Sequence, residues 1–263
     1  MSARNPRKTH LLLATIACLI VEGCRAPPIT ITQGDVEAAF EVGRSFHLFW
    51  DSTSSAVDVG RTGGPNIYDF SNLSFVLYDS VTMLPVTRVP QLAAHFPPNA
   101  VTFNEEANTM YPVFAFSNQA FNRLGRARLI STTTEWYQHI VPADEWVRFP
   151  ATFNTQSSQD SRVVVDTTYV DGIPAETSAD TTSDTRYIDG YGTLLLPGGV
   201  ALQCLRMRIV ASAPKTSKEF QYWTREGAVI LIDSDTSQPD TGVVKRGYVI
   251  YFSPQAPGQR TRN

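Results

Sequence analysis

The sequence is short of charge, cysteine and histidine. Charged residues make up 18% of the 263 positions, against about 25% in an average soluble chain. The formal net charge is −3 and no basic tract is present, which excludes the phosphate-backbone electrostatics of a nucleic-acid binder. No apolar run reaches the roughly 20 residues a membrane-spanning helix needs. The histidines after the first 23 residues, His47, His95 and His139, stand far apart in the chain, and no His-Glu-x-x-His occurs. That leaves no metal-ligand pattern. Gly-x-Ser-x-Gly, Cys-x-x-Cys and a glycine-rich phosphate loop are all missing, so catalytic residues, cofactors and metals have no motif to rest on. A pair of glycosidase-type carboxylates drawn from distant strands leaves no sequence signature. The adjacent Glu105 and Glu106 are not such a pair, because strand neighbours point to opposite faces.

What is present begins with an export signal. Arg4, Arg7 and Lys8 form a positive start, residues 11–21 an apolar stretch of signal-peptide length, and Val21-Glu22-Gly23-Cys24 a cleavage site. The last four resemble the bacterial lipobox at Val21, Gly23 and Cys24; Glu22 departs from it. Cys24 is thus expected to be the lipid-modified first residue of the mature chain, with residues 1–23 removed. Loss of Arg4, Arg7, Lys8 and Glu22 leaves a net charge of −5. The competing readings are cleavage after Ala26, which Pro27 disfavours, and modification of Cys18, which leaves too short an apolar run. With Cys24 acylated, Cys204 has no internal partner and, lying in a strand pattern, reads as a packed free thiol.

Residues 24–34 read as an anchor tether stiffened by Pro27 and Pro28. Arg25 follows the cysteine where an aspartate favours inner-membrane retention. This points to an outer-membrane lipoprotein facing the periplasm, with a soluble periplasmic or secreted protein as the alternative. Residues 35–253 read as one β-rich domain, with short strands and loops over 35–140 and a long-strand meander over 145–253. A polar tail fills 254–263. Residues 35–42 suit one short helix, with Asp35 as cap and Gly43 as stop.

Strands are signalled by Phe46-His47-Leu48-Phe49-Trp50, Phe75-Val76-Leu77-Tyr78 and Val113-Phe114-Ala115-Phe116. Asp171-Gly172 ahead of Ile173 marks a tight hairpin, and Pro197-Gly198-Gly199 marks a second. Beyond it Leu205, Met207 and Ile209 alternate with Arg206 and Arg208, which predicts one core face and one wet face. The fold expected is all-β: an antiparallel meander forming a β-sandwich or curved half-barrel, with at most one or two short helices. Two acidic groups, Asp233-Ser234-Asp235 with Asp240 and Asp180 with Asp184, carry oxygen ligands but lack a full calcium loop, and read as solvated loops.

Three blocks carry a family resemblance. They are Asp58-Val59-Gly60-Arg61-Thr62-Gly63-Gly64-Pro65-Asn66-Ile67-Tyr68-Asp69-Phe70-Ser71; Phe149-Pro150-Ala151-Thr152-Phe153; and Asp189-Gly190-Tyr191-Gly192-Thr193-Leu194-Leu195-Leu196-Pro197 with Gly199 and Leu205-Arg206. They resemble a group of uncharacterised exported, lipoprotein-type β-rich proteins of Bacteroidota- and Chlorobi-like bacteria. The resemblance implies export and a β-rich fold, and no particular chemistry. The glycines and prolines also suit turns and bends alone.

Together these features predict a lipid-anchored, non-catalytic binding or structural module of the cell envelope, attached to the membrane through its N-terminus. A carrier of a lipid or other hydrophobic small molecule in a curved sheet is the alternative, and needs a continuous apolar hollow. An envelope hydrolase without a recognisable motif is the third reading.

Overall fold

Apolar residues recurring at every second position, cut by turn dipeptides, set the strands of this chain. The computed structural model describes residues 27–105, 109–213 and 216–254. The export signal with Cys24, Glu106 and residues 255–263 lie outside them. The strands are β1 Thr30–Ile31, β2 Ser45–Asp51, β3 Ala56–Asp58, β4 Gly63–Asp69, β5 Val76–Thr82, β6 Leu84–Pro85, β7 Val101–Thr102, β8 Met110–Phe116 and β9 Ala120–Leu129. They continue as β10 Thr134–Arg148, β11 Ala151–Thr152, β12 Thr155–Val170, β13 Ile173–Leu196, β14 Val200–Ala213, β15 Ser217–Thr224, β16 Val229–Ser234 and β17 Val243–Pro254. Two short helices accompany them, α1 at Gln33–Ala39 and α2 at Pro90–Ala93.

The fold is all-β. Its main sheet runs β5-β2-β17-β16-β15-β14-β13-β12-β10-β9-β8-β7-β6. The two ends of that order, β5 and β6, are separated in the chain only by Met83, so the sheet curls into a nearly closed barrel rather than a sandwich. Met83 carries the join: its amide donates to Arg44 O at 2.8 Å and its carbonyl accepts from Gly43 N at 2.8 Å. Both expected hairpins are present. β12 turns into β13 at Asp171 and Gly172, with φ of 51° and 75°, and Leu196 pairs with Val200 across Pro197–Gly199.

The helix reading needs adjustment. Thr32, not Asp35, caps α1; the Asp35 carboxylate accepts from the Thr32 amide at 2.8 Å, completing a capping box. α2 begins at a proline and gave no periodic signal in its 4 residues. The tether is also shorter than expected: Thr30–Ile31 pairs with Ala151–Thr152, and Ile31 is fully buried.

Inward-facing Leu205, Met207, Val229 and Phe252 fill one half of the lumen, where Val36 and Ala39 of α1 and the following Phe40 join them. Phe40 packs on Phe46 and Phe121, ring centroids 5.0 and 4.9 Å apart. The outer face of the same strands is not wet. β3 pairs with β17 and β4 with β13, so the chain between them straps the backs of β14, β15 and β16. Val57, Val59, Tyr68 and Phe70 of the strap cover Cys204, Phe220, Tyr222 and Ile230. Arg206, expected in water, is wholly buried there. Its Nε donates to Val59 O at 3.0 Å, and it pairs with Asp189. A second cover, residues 86–100 with α2, lies on the outer face of β8, β9 and β10. These layers explain strands that are apolar on both sides. Val76, Leu77 and Tyr78 lack such a layer and stand about half exposed.

The three resemblance blocks meet in one corner. β4 takes over the edge of β13 where β12 ends, pairing in parallel with Gly192 opposite Asn66. Phe153 packs edge-on to Tyr191 at 5.0 Å. A Cβ on Gly192 would lie 1.9 Å from Asn66 O, so the backbone approach itself requires glycine there.

Candidate functional site

The other half of the lumen is polar. Here the inward positions of β9, β10, β12, β13 and β15 carry charge, and they enclose a cavity of about 600 Å³ that opens to solvent. Its basic residues are Arg123, Arg126, Arg162 and Arg186; its acidic residues are Asp144, Asp166, Asp180, Asp184 and Glu219. Ile140, Trp146, Ile209 and Leu231 supply apolar wall. Two β-bulges prepare the site. The β10 ladder slips between His139 and Asp144, and the β12 ladder slips between Gln159 and Arg162, with Ser161 at φ 56°. Bulges re-aim the side chains that follow them, and the residues that follow these are Asp144 and Arg162.

Those two residues anchor a buried ion cluster. Asp144 accepts from Arg123 Nη2 at 2.8 Å, from Arg162 Nη1 at 2.8 Å, and from Arg186. Asp184 accepts from Arg186 Nε at 2.9 Å and from Arg162. Burial pushes the Asp144 carboxyl up, but Arg123, Arg186 and Arg162 outweigh it and hold it below the ordinary aspartate range. Arg186 is likewise held charged: burial opposes its charge, and Asp144 and Asp184 overcome it. Three guanidiniums share two carboxylates, and Nε of Arg162 and Nη1 of Arg186 keep no acceptor among the described residues.

Glu219 stands beside this cluster. Trp223 Nε1 donates to Gln221 Oε1 at 2.6 Å, and Gln221 in turn donates to Glu219, so a chain of side chains orients the carboxyl. Burial raises the Glu219 pKa, against the opposing effects of Gln221, Arg123 and Arg186. Tyr248 lies on the cavity wall, and two further rings adjoin it in a row. Trp50 lies 6.0 Å from Tyr248 and 5.8 Å from Tyr78 by ring centroids. The Arg126 guanidinium, also on the wall, sits 5.1 Å over the Trp136 ring, and Gln138 donates to Asp166 at 3.1 Å.

The residues that stood out in the sequence fall mostly elsewhere. Cys204 is free and buried under the strap, its thiol pKa raised by burial. His95 and His139, distant in sequence, come together with ring centroids 6.2 Å apart, but on the outer face, where His95 stacks on Tyr137 at 3.8 Å. His47 Nδ1 bonds the Ser80 hydroxyl at 2.8 Å. Asp180 and Asp184 share the cavity, though Asp184 is engaged by arginines; Asp240 holds Lys218 at 2.6 Å. Among the described residues no group of His, Cys, Asp or Glu is arranged to hold a metal. The ion cluster carries no sequence motif. Its trace in the sequence is a set of charges at core-facing positions of β-branched strands, Arg162 next to Val163-Val164-Val165 being the clearest. The chain matches no family model, no curated protein and no solved structure.

Proposed function

We propose that the protein is an exported, lipid-anchored binding module of the cell envelope, and that its ligand occupies the polar half of the barrel lumen. Cys24 is the anchor, and the barrel faces the periplasm from the outer membrane. The positive start, the apolar stretch and the Val21-Glu22-Gly23-Cys24 site support the export half of this reading.

The binding half rests on one observation, an open cavity of about 600 Å³ walled by buried ion pairs. Ion pairs of this kind are a poor way to stabilise a core, since apolar residues of similar volume do as well or better. A polar hollow kept in an otherwise well-filled barrel therefore points to use. The same wall disfavours the hydrophobic carrier, whose hollow is lined mainly by apolar side chains.

The test uses the full chain carrying Cys24→Ala, so that no detergent is present. Its melting temperature is followed with the aqueous and the organic fraction of an envelope extract. A ligand that binds only the folded state raises the melting temperature. A rise with the aqueous fraction supports the reading, a rise with the organic fraction alone favours the carrier, and no rise with either removes the binding role.

A further inference from the structure

The charges around the cavity name a class of ligand. We propose that the site binds a neutral, polyhydroxylated molecule, a short saccharide, with sugar rings against the aromatic row that starts at Tyr248 and hydroxyls on the charged wall. This rests on the binding reading above and specifies its ligand.

Charge balance is the first ground. The wall's four arginines stand among four aspartates and Glu219, so positive and negative groups nearly balance. A free anion or cation entering this space gives up its hydration without meeting an excess of opposite charge. The charges are also interleaved rather than separated, since Asp144 alone touches three guanidiniums. A zwitterion with two distinct poles finds no matching poles here.

Hydrogen-bonding capacity is the second ground. A sugar hydroxyl donates once and accepts twice, so it needs donors and acceptors side by side. Guanidiniums and carboxylates share the wall, and Arg123, Arg126 and Asp180 are its exposed members. Gln138, held by Asp166 at 3.1 Å, adds an amide group at a fixed position.

The third ground is the aromatic row. Of the aromatic rings Tyr248 lies on the cavity wall; Trp50 adjoins it and Tyr78 follows, these two keeping 36% and 46% of their surface exposed. The C–H face of a pyranose packs on such rings, whereas a small inorganic ion gains nothing from them. The cavity volume lies within the usual range of about 300–1,000 Å³ for ligand sites.

Isothermal titration of the full Cys24→Ala chain tests the class. The neutral probes are maltose, cellobiose, lactose and chitobiose; the charged probes are citrate, glutamate and spermidine. At least one neutral probe is expected to bind with 1:1 stoichiometry. Trp50→Ala should weaken that probe about tenfold, the upper end of an aromatic-face contribution. Asp180→Asn, at the exposed rim, should weaken it too, with the melting temperature unchanged in both variants. If only a charged probe binds, the saccharide class falls while the binding reading stands. If no probe binds at about 20 mM, weaker than the weakest useful affinity, the class falls as well, and the aqueous-extract result decides the wider reading separately. Saccharide binding that survives both substitutions places the sugar elsewhere and also overturns the proposal.

Discussion

Asp144 accepts a hydrogen bond from Arg162 at 2.8 Å inside the barrel, with side-chain exposures of only 3% and 8%. Removing one partner of such a pair leaves a buried charge without compensation, a loss of about 3–5 kcal/mol. Asp144→Asn takes the aspartate from Arg123 and leaves Arg162 and Arg186 on Asp184 alone, and a loss of that size is expected in urea unfolding at pH 7. Because the Asp144 pKa is lowered in the fold, its contribution is present above the ordinary value of 3.8 and fades as pH falls through the lowered one. The wild type and Asp144→Asn should therefore converge in stability in strong acid. A loss under about 1 kcal/mol, the size typical of an exposed pair, would show that the cluster is wetter than its burial indicates.

Glu219 has the opposite sign. Its pKa is raised by burial, so its contribution is whole below the ordinary value of 4.5 and is lost as pH rises through the raised value. Glu219→Gln keeps the shape and the bond to Gln221 while removing the ionisation. This variant is expected to match the wild type near pH 4 and to be the more stable of the two at pH 8. Parallel unfolding midpoints across that range would contradict the assignment.

Gly192 tests the strap. A methyl group there meets Asn66 O at 1.9 Å, and forced contacts of this kind cost about 1–3 kcal/mol. Gly192→Ala should displace β4 from β13 and speed amide hydrogen exchange over residues 57–69 more than over β15 and β16. Uniform acceleration throughout the barrel would mean that the strap is not a separable layer.

The anchor is tested by metabolic labelling with a fatty acid. Wild-type chain should take up label and fractionate with membranes; Cys24→Ala should take up none and become soluble while still exported. Protease added to intact cells should leave the anchored protein whole. An unlabelled wild type would remove the lipid anchor, and cleavage in intact cells would reverse the orientation.

The legible parts of this fold are local. Asp171-Gly172 and Pro197-Gly198-Gly199 announce their hairpins because positive φ is written into those residues. Leu205, Met207 and Ile209 announce an inward face by alternation. Arg206 misleads because its cover comes from Val59, 147 residues earlier, and no local pattern carries that distance. The ion cluster hides for a related reason. Its members sit on β9, β10, β12 and β13, and the bulges before Asp144 and Arg162 break the even count that would have shown their shared face. Closure hides at Met83, where one continuous extended segment changes partners.

The most direct measurement of the central claim is the content of the lumen itself. The exported Cys24→Ala chain is purified without detergent, unfolded, and split between water and organic solvent, and both phases are analysed by mass spectrometry. The expected result is a polar, uncharged small molecule in the aqueous phase, close to one per chain, and lost from Trp50→Ala. A fatty acid or phospholipid in the organic phase at similar stoichiometry, with nothing in the aqueous phase, would contradict it.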